Sequence, residues 1–115
     1  MDDKEVRQQL IKVFGEQIKF NKNFDEHVKK LKEGMIEEFL EWCLRCKENK
    51  ELGSVPPKKE FREFYVFFRK IASNVRVALI KKQNSNFIEI ILDNHECYDD
   101  TRMKFGYKRS SYYGS

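Results

Sequence analysis

The chain has 115 residues, with 23 Lys and Arg against 19 Asp and Glu, so its formal net charge is +4. That length carries one domain and leaves no room for two of ordinary size. Charged residues make up 37%, yet aromatics reach 14% with ten Phe and five Tyr, which excludes a disordered chain and supplies a small core.

The first predicted element is an amphipathic helix over 2–14. Asp2 or Asp3 is its N-cap, Val6, Leu10, Val13 and Phe14 form its apolar stripe, and Gly15 is its end. Met1-Asp2-Asp3-Lys4 is acidic and lacks an apolar core, so it is not a secretory signal, and no apolar run reaches the roughly 18–20 residues of a membrane span. Gln17-Ile18-Lys19-Phe20 alternates and predicts a short strand. Asn23 with Glu26 three residues on has the form of a capping box, opening a helix over 24–33 with Phe24, His27, Val28 and Leu31 on one face. Gly34 interrupts, and Met35, Ile36, Phe39, Leu40, Cys43 and Cys46 predict a second helix over 35–49.

Pro56 and Pro57 stop all helix, and the period then changes. Phe61–Lys70, Asn74–Lys81 and Phe87–Asp93 are β-branched and aromatic, with turns at Ala72-Ser73 and Asn84-Ser85-Asn86. They predict a three-stranded antiparallel meander. Residues 96–107 read as weakly helical or irregular, and 101–115 as a basic, tyrosine-rich tail. The expected fold is therefore α+β: N-terminal helices on one face of a small antiparallel sheet, the other face open. A single domain spans 1–115, with 1–16 a helical extension of it.

Charge becomes informative when it is located. Residues 1–60 hold 13 basic and 13 acidic side chains, and residues 61–100 hold six of each. The excess thus lies in Arg102, Lys104, Lys108 and Arg109, interleaved with Tyr107, Tyr112 and Tyr113. Two readings stand: a solubilising tail, or an arm in which Lys108 and Arg109 meet phosphates and the tyrosines stack.

Three cysteines, an odd number, argue against a disulfide framework and fit a reducing cytoplasm. Cys43-Leu44-Arg45-Cys46 with His95 and Cys97 offers four zinc ligands. The C-x-x-C lies on the apolar stripe of a helix without a knuckle glycine, however, so it reads first as core packing and no metal is expected. Asp99-Asp100 reads as a solvated turn or a helix cap. His27 reads as structural. His95 follows an apolar strand at the rim of the sheet, where an imidazole can do acid–base work. Lys58, Lys59, Arg62, Arg69, Lys70 and Arg76 supply cations along the strands, and Arg76 points opposite to Val75 and Val77. The functional reading is that they gather around a phosphodiester near His95 and Tyr98. The alternative is a solvated outer face.

The order of these elements resembles the RelE/ParE toxin superfamily of toxin–antitoxin modules. Ile18-Lys19-Phe20-Asn21-Lys22-Asn23-Phe24 is similar to its opening strand and helix start. Asp25–Leu52 resembles its helical hairpin. Asn74–Ile80 resembles the strand whose arginine follows a turn, Phe87–Leu92 the next strand, and Asp93-Asn94-His95-Glu96-Cys97-Tyr98 the closing motif. The likeness covers about residues 17–100, with Ser73-Asn74 where the family often has Gly-Asp. In RelE-like members it implies a cofactor-free endoribonuclease that cuts mRNA, often in the ribosomal A site, by 2′-OH attack on the adjacent phosphate. Arg76 would then neutralise the phosphorane, His95 act as acid or base, and Tyr98 orient or stack a base. Lys58, Lys59 and Arg62 would match the family's basic positions, and a small antitoxin would wrap the helices. The ParE branch implies a different outcome, gyrase targeting without RNA cleavage. A non-catalytic RNA-binding or interaction protein relying on the tail is the third possibility.

Overall fold

A computed structural model describes residues 1–110; the expected stacking by Tyr112 and Tyr113 lies outside them. Helix α1 (Asp3–Phe14) starts as its sequence dictates. The Asp2 carboxylate accepts from the Glu5 amide at 2.8 Å, and Glu5 reaches back to the Asp2 amide. Val6, Leu10 and Phe14 bury one side of the helix against the other helices.

Strand β1 (Lys19–Phe20) leads into α2 (Phe24–Val28) and α3 (Glu33–Lys47). Helix α2 starts at the predicted Phe24 but ends at Val28, and α3 starts before Gly34 rather than after it. The Asn23 side chain does not cap α2 but donates to Asp93 Oδ2 at 3.3 Å, tying the helix to the sheet. The break falls at Leu31-Lys32, where Leu31 turns into the core and Lys32 is extended, and Gly34 sits in the first turn of α3. Glycine's cost is backbone entropy and falls on helix interiors, so an end position tolerates it better.

A short 3-10 turn (Lys59–Phe61) replaces the predicted start of the next strand, because the Phe61 ring leaves the sheet to pack on Phe105, centroids 4.8 Å apart. Then come β2 (Phe64–Ala72), β3 (Val75–Lys82), β4 (Ile88–Asp93) and α4 (His95–Phe105). The sheet order is β1-β4-β3-β2. β2 with β3 and β3 with β4 pair antiparallel, but β1 runs parallel to β4, with Phe20 opposite Ile90. The sheet is thus mixed, where a purely antiparallel one was expected. A two-residue strand carries no signal for the direction of its partner.

The largest correction concerns the second sheet face. Val75 through Ile80 are all buried, as a strand covered on both sides requires. Phe67, Val77, Leu79, Ile90 and Leu92 face α1, α2 and α3. Val66 and Ile80 face the other way, under Phe105 of α4 with Phe61, Phe64 and Tyr107 around them. Helix α4, expected to be weak or irregular, is an 11-residue third layer, so the supposedly open face is largely closed. It ends at Gly106 (φ +97°), where a Cβ would come within 2.8 Å of the Lys58 side chain. Residues 101–105, assigned to the tail, belong to this helix. No helix among the described residues is long and apolar enough to cross a membrane.

Candidate active site

The site forms where the β2–β3 turn meets the start of α4. Asn74 holds φ +55° in that turn, a conformation its short amide side chain tolerates. Its Oδ1 accepts the backbone N–H of His95 at 3.1 Å, and Asn94 Oδ1 accepts that of Cys97 at 2.9 Å. Two orphan amides of α4 are thereby satisfied, one of them from a turn 21 residues away. Asn74→Gly keeps the backbone conformation and loses the cap. It should cost on the order of 1 kcal/mol, read as a lower denaturation midpoint at unchanged slope.

Two residues beyond Asn74, Arg76 stands on the α4 face of β3, as strand alternation predicts. It is 7% exposed, and its Nη1 donates to the Ala72 carbonyl at 3.2 Å. His95 is the first residue of α4, and Tyr98 follows one turn later on the same side. Burial pushes the Tyr98 phenol above its ordinary pKa, opposed by the nearby charges of Arg102 and Arg76. Arg76 pairs with Asp93, two residues before His95, so Arg76, His95 and Tyr98 lie at the same end of the sheet. The Tyr98 ring, however, is 4% exposed and set edge-on against Phe68, so in this conformation it has no free face for a base.

His95 has partners that the sequence reading missed. Its Nε2 lies 3.0 Å from Ser110 Oγ and 3.5 Å from Asp99 Oδ2. The Ser110 hydroxyl donates to Asp99 Oδ1 at 2.6 Å, and the Ser110 amide donates to the same oxygen at 3.0 Å. A hydroxyl has a single proton. With that proton on Asp99, the contact to His95 requires Nε2 to be the donor, so this nitrogen carries a proton.

Burial alone would raise the Asp99 carboxyl; the bonds from Ser110 and the charges of His95 and Arg109 hold it below the usual carboxylate value. The sign follows from linkage: a depressed folded pKa stabilises the fold above the unfolded value of 3.8 and loses that contribution as pH falls through the folded one. Asp99→Asn should therefore melt lower than the parent at pH 7, with the gap closing by about pH 2. The signal for this pairing was the i,i+4 spacing of His95 and Asp99, visible only once 95–105 is read as a helix.

The segment after α4 folds back as a strap. The Arg102 guanidinium lies 4.8 Å from the Phe68 ring centre, flanked by Tyr98 and Tyr107, and its Nε donates to the Lys108 carbonyl at 2.8 Å. The Tyr107 hydroxyl is 2.6 Å from Ser54 Oγ. Tyr107 is therefore anchored on the sheet, not part of a free stacking arm.

The expected basic residues do not all converge. Arg109 lines a cavity of about 240 Å³ with His95, Glu96, Asp99 and Asp100. Lys108 is exposed on the strap. Lys58 and Lys59 lie at the far end of α4, where the Lys58 amide donates to the Phe105 carbonyl, and 11 helical residues span about 16 Å. Arg62 precedes Phe64, which pairs with Lys82, six residues and about 20 Å along β3 from Arg76. Arg69 pairs with Val77 and so shares the opposite sheet face; Lys70, opposite Arg76, is the strand cation on the right side.

Cys43 and Cys46 are core residues, both 0% exposed, with burial pushing the Cys46 thiol up to about 12. Cys97 is pushed up to about 11 by burial and by Asp93. Among the described residues no group of three His, Cys, Asp or Glu is placed to hold a metal ion. His27 is buried as expected, with Nδ1 2.9 Å from the Asn23 carbonyl and Nε2 3.5 Å from Asp93 Oδ1. No family model, curated protein or solved structure matches the chain.

Proposed function

We propose that this chain is a RelE-like toxin of a toxin–antitoxin module, a metal-independent endoribonuclease that cleaves mRNA at the ribosome in the cytoplasm. The observation that carries the reading is that Arg76, paired with Asp93, lies at the same sheet end as His95, whose Nε2 is 3.0 Å from Ser110 Oγ and 3.5 Å from Asp99 Oδ2. The element order also supports it: β1 is followed by a helix pair and then by β2, β3 and β4.

In this mechanism the ribose 2′-OH attacks the adjacent phosphorus, its proton leaving to solvent. Arg76 neutralises charge growing on the phosphorane oxygens. The P–O5′ bond breaks, His95 in its doubly protonated, imidazolium form gives the Nε2 proton to the departing 5′ oxygen and becomes neutral, and a cyclic phosphate remains. Ser110 leaves Nε2 as substrate docks, and Asp99 then faces the imidazole alone. Tyr98 acts from beneath by packing, while Lys70 and Arg109 are the cations positioned for neighbouring phosphates. An antitoxin covering the helices would keep the activity silent.

The distance of Lys58, Lys59 and Arg62 from His95 favours a second reading, a ParE-like toxin that acts by protein contact. Expression of the intact chain separates the two. Growth arrest with transcripts ending in 2′,3′-cyclic phosphate supports cleavage; arrest with intact transcripts and damaged DNA supports the ParE-like reading. RNA binding without arrest would make the chain a non-catalytic RNA-binding protein.

A further inference from the structure

A different end of the sheet carries a second site. Where α3 ends beside the β3–β4 turn, a cavity of about 400 Å³ is lined by Asn49, Tyr65, Lys81, Lys82, Asn84 and Ser85, with Gln83 between them in the turn. No carboxylate lines it. Lys81 is half-buried at its floor and donates to the Cys46 carbonyl at 3.3 Å and to Asn49 Oδ1 at 3.2 Å. An ammonium has three protons, so one remains. Among the described residues no carboxylate lies within ion-pair distance of Lys81. Lys82 has only Glu63, 3.6 Å away and with a side chain 73% exposed, a pair of little strength.

The other lining groups are donors as well. Asn49 Oδ1 is taken by Lys81, which leaves its amide nitrogen to donate. Ser85 Oγ already accepts the Phe87 amide at 3.1 Å and keeps its own proton to give. The Tyr65 hydroxyl adds another, and its ring, edge-on to Phe67 at 5.2 Å, gives the cavity one flat apolar wall. Asn49 and Asn84 each hold φ +58°, so two tight turns present these side chains. Two ammonium groups and several neutral donors, with no carboxylate in the lining and only the exposed Glu63 beside Lys82, match a tetrahedral oxyanion.

We propose that this cavity binds a phosphate group, either of a nucleoside monophosphate or of an RNA chain, with Lys81 and Lys82 as its charge partners. It is not the scissile phosphate of the reaction proposed above. Lys81 is five residues from Arg76, about 17 Å along β3, and on the opposite sheet face. Burial already lowers the Lys81 pKa, so a desolvated ammonium without a counter-ion gains when an anion arrives. Lys81 also satisfies a terminal carbonyl of α3, and the test has to separate that cap from binding.

The experiment is an amide NMR titration of the full chain with inorganic phosphate, AMP or a short single-stranded RNA, at ionic strength held constant with sodium chloride. Saturable shifts confined to residues 49, 65 and 81–85 are expected, weakened at least fivefold by Lys82→Gln, which leaves the α3 cap untouched. Lys81→Met should abolish them, with an otherwise native spectrum showing that the fold survives. If Lys81→Met fails to fold, Lys82→Gln decides alone. AMP binding more tightly than inorganic phosphate assigns a mononucleotide; RNA binding more tightly than both assigns a strand. Shifts that chloride reproduces, or that Lys82→Gln leaves unchanged, overturn the proposal. No step of this test involves RNA cleavage, so it stands or falls apart from the function proposed for the His95 corner.

Discussion

His95→Ala should lower transcript cleavage by about 10²- to 10⁴-fold, the usual range for a lost general acid. The magnitude rests on the proton at Nε2: Ser110 gives its hydroxyl proton to Asp99 and can only accept from the imidazole. The stability cost should be small, because the His95 side chain is partly solvent-facing at 17% and its backbone N–H keeps its bond to Asn74. Rate and stability are thus separable in this variant, by single-turnover cleavage beside a thermal melt. Arg76→Ala is a harsher change, since Arg76 is 7% exposed and holds the Ala72 carbonyl. It should reduce cleavage by about 10²- to 10³-fold, as for a lost oxyanion donor. Undiminished growth arrest in the double variant would remove this corner from the chemistry.

Phe24→Ala is expected to be the most destabilising single truncation, about 3–5 kcal/mol. Helix α2 has five residues, too short to hold itself, so it exists through what Phe24 touches. The ring is 0% exposed and lies 4.6 Å from Phe20 of β1 and 6.3 Å from Phe39 of α3. Arg7 of α1, itself bonded to Asp25 at 2.6 Å, lies 5.6 Å from its centre. Four elements meet on one side chain, and its loss leaves a cavity that none of them can fill alone. Leu52→Ala is the control: at 95% exposure it should change stability by less than about 0.5 kcal/mol. Thermal melts of both variants check the contrast, with the Phe24 variant falling by more than about 10 °C.

Much of the scaffold was legible because its signals are local. The Asp2–Glu5 capping box, the 6-10-14 stripe and Gly15 define α1 within one stretch of chain. The apolar run from Val75 to Ile80 and the turns beside it define β3, and alternation alone turns Arg76 away from Val75 and Val77. Helix α4 was the costly omission. Its buried residues, Tyr98, Thr101 and Phe105, repeat at three and four, but one is a threonine and Asp99 is buried beside them, so the stripe does not read as apolar. From that omission came both the open sheet face and the solvated Asp99.

The amino-acid sequence by itself located α1, the long strands β2, β3 and β4 and the side of β3 on which Arg76 stands, because each depends on neighbours within a few residues. It also placed the net charge in the last fifteen residues. Only the tertiary structure decided which cations share a site. Arg69, Arg62, Lys58 and Lys59 are close to Arg76 in number but separated from it by a sheet face or by the length of α4. Asp99 and Ser110 reach His95 because a helix turn and a folded-back strap bring them there. Convergence of this kind is set by long-range packing, and no local pattern of residues encodes it.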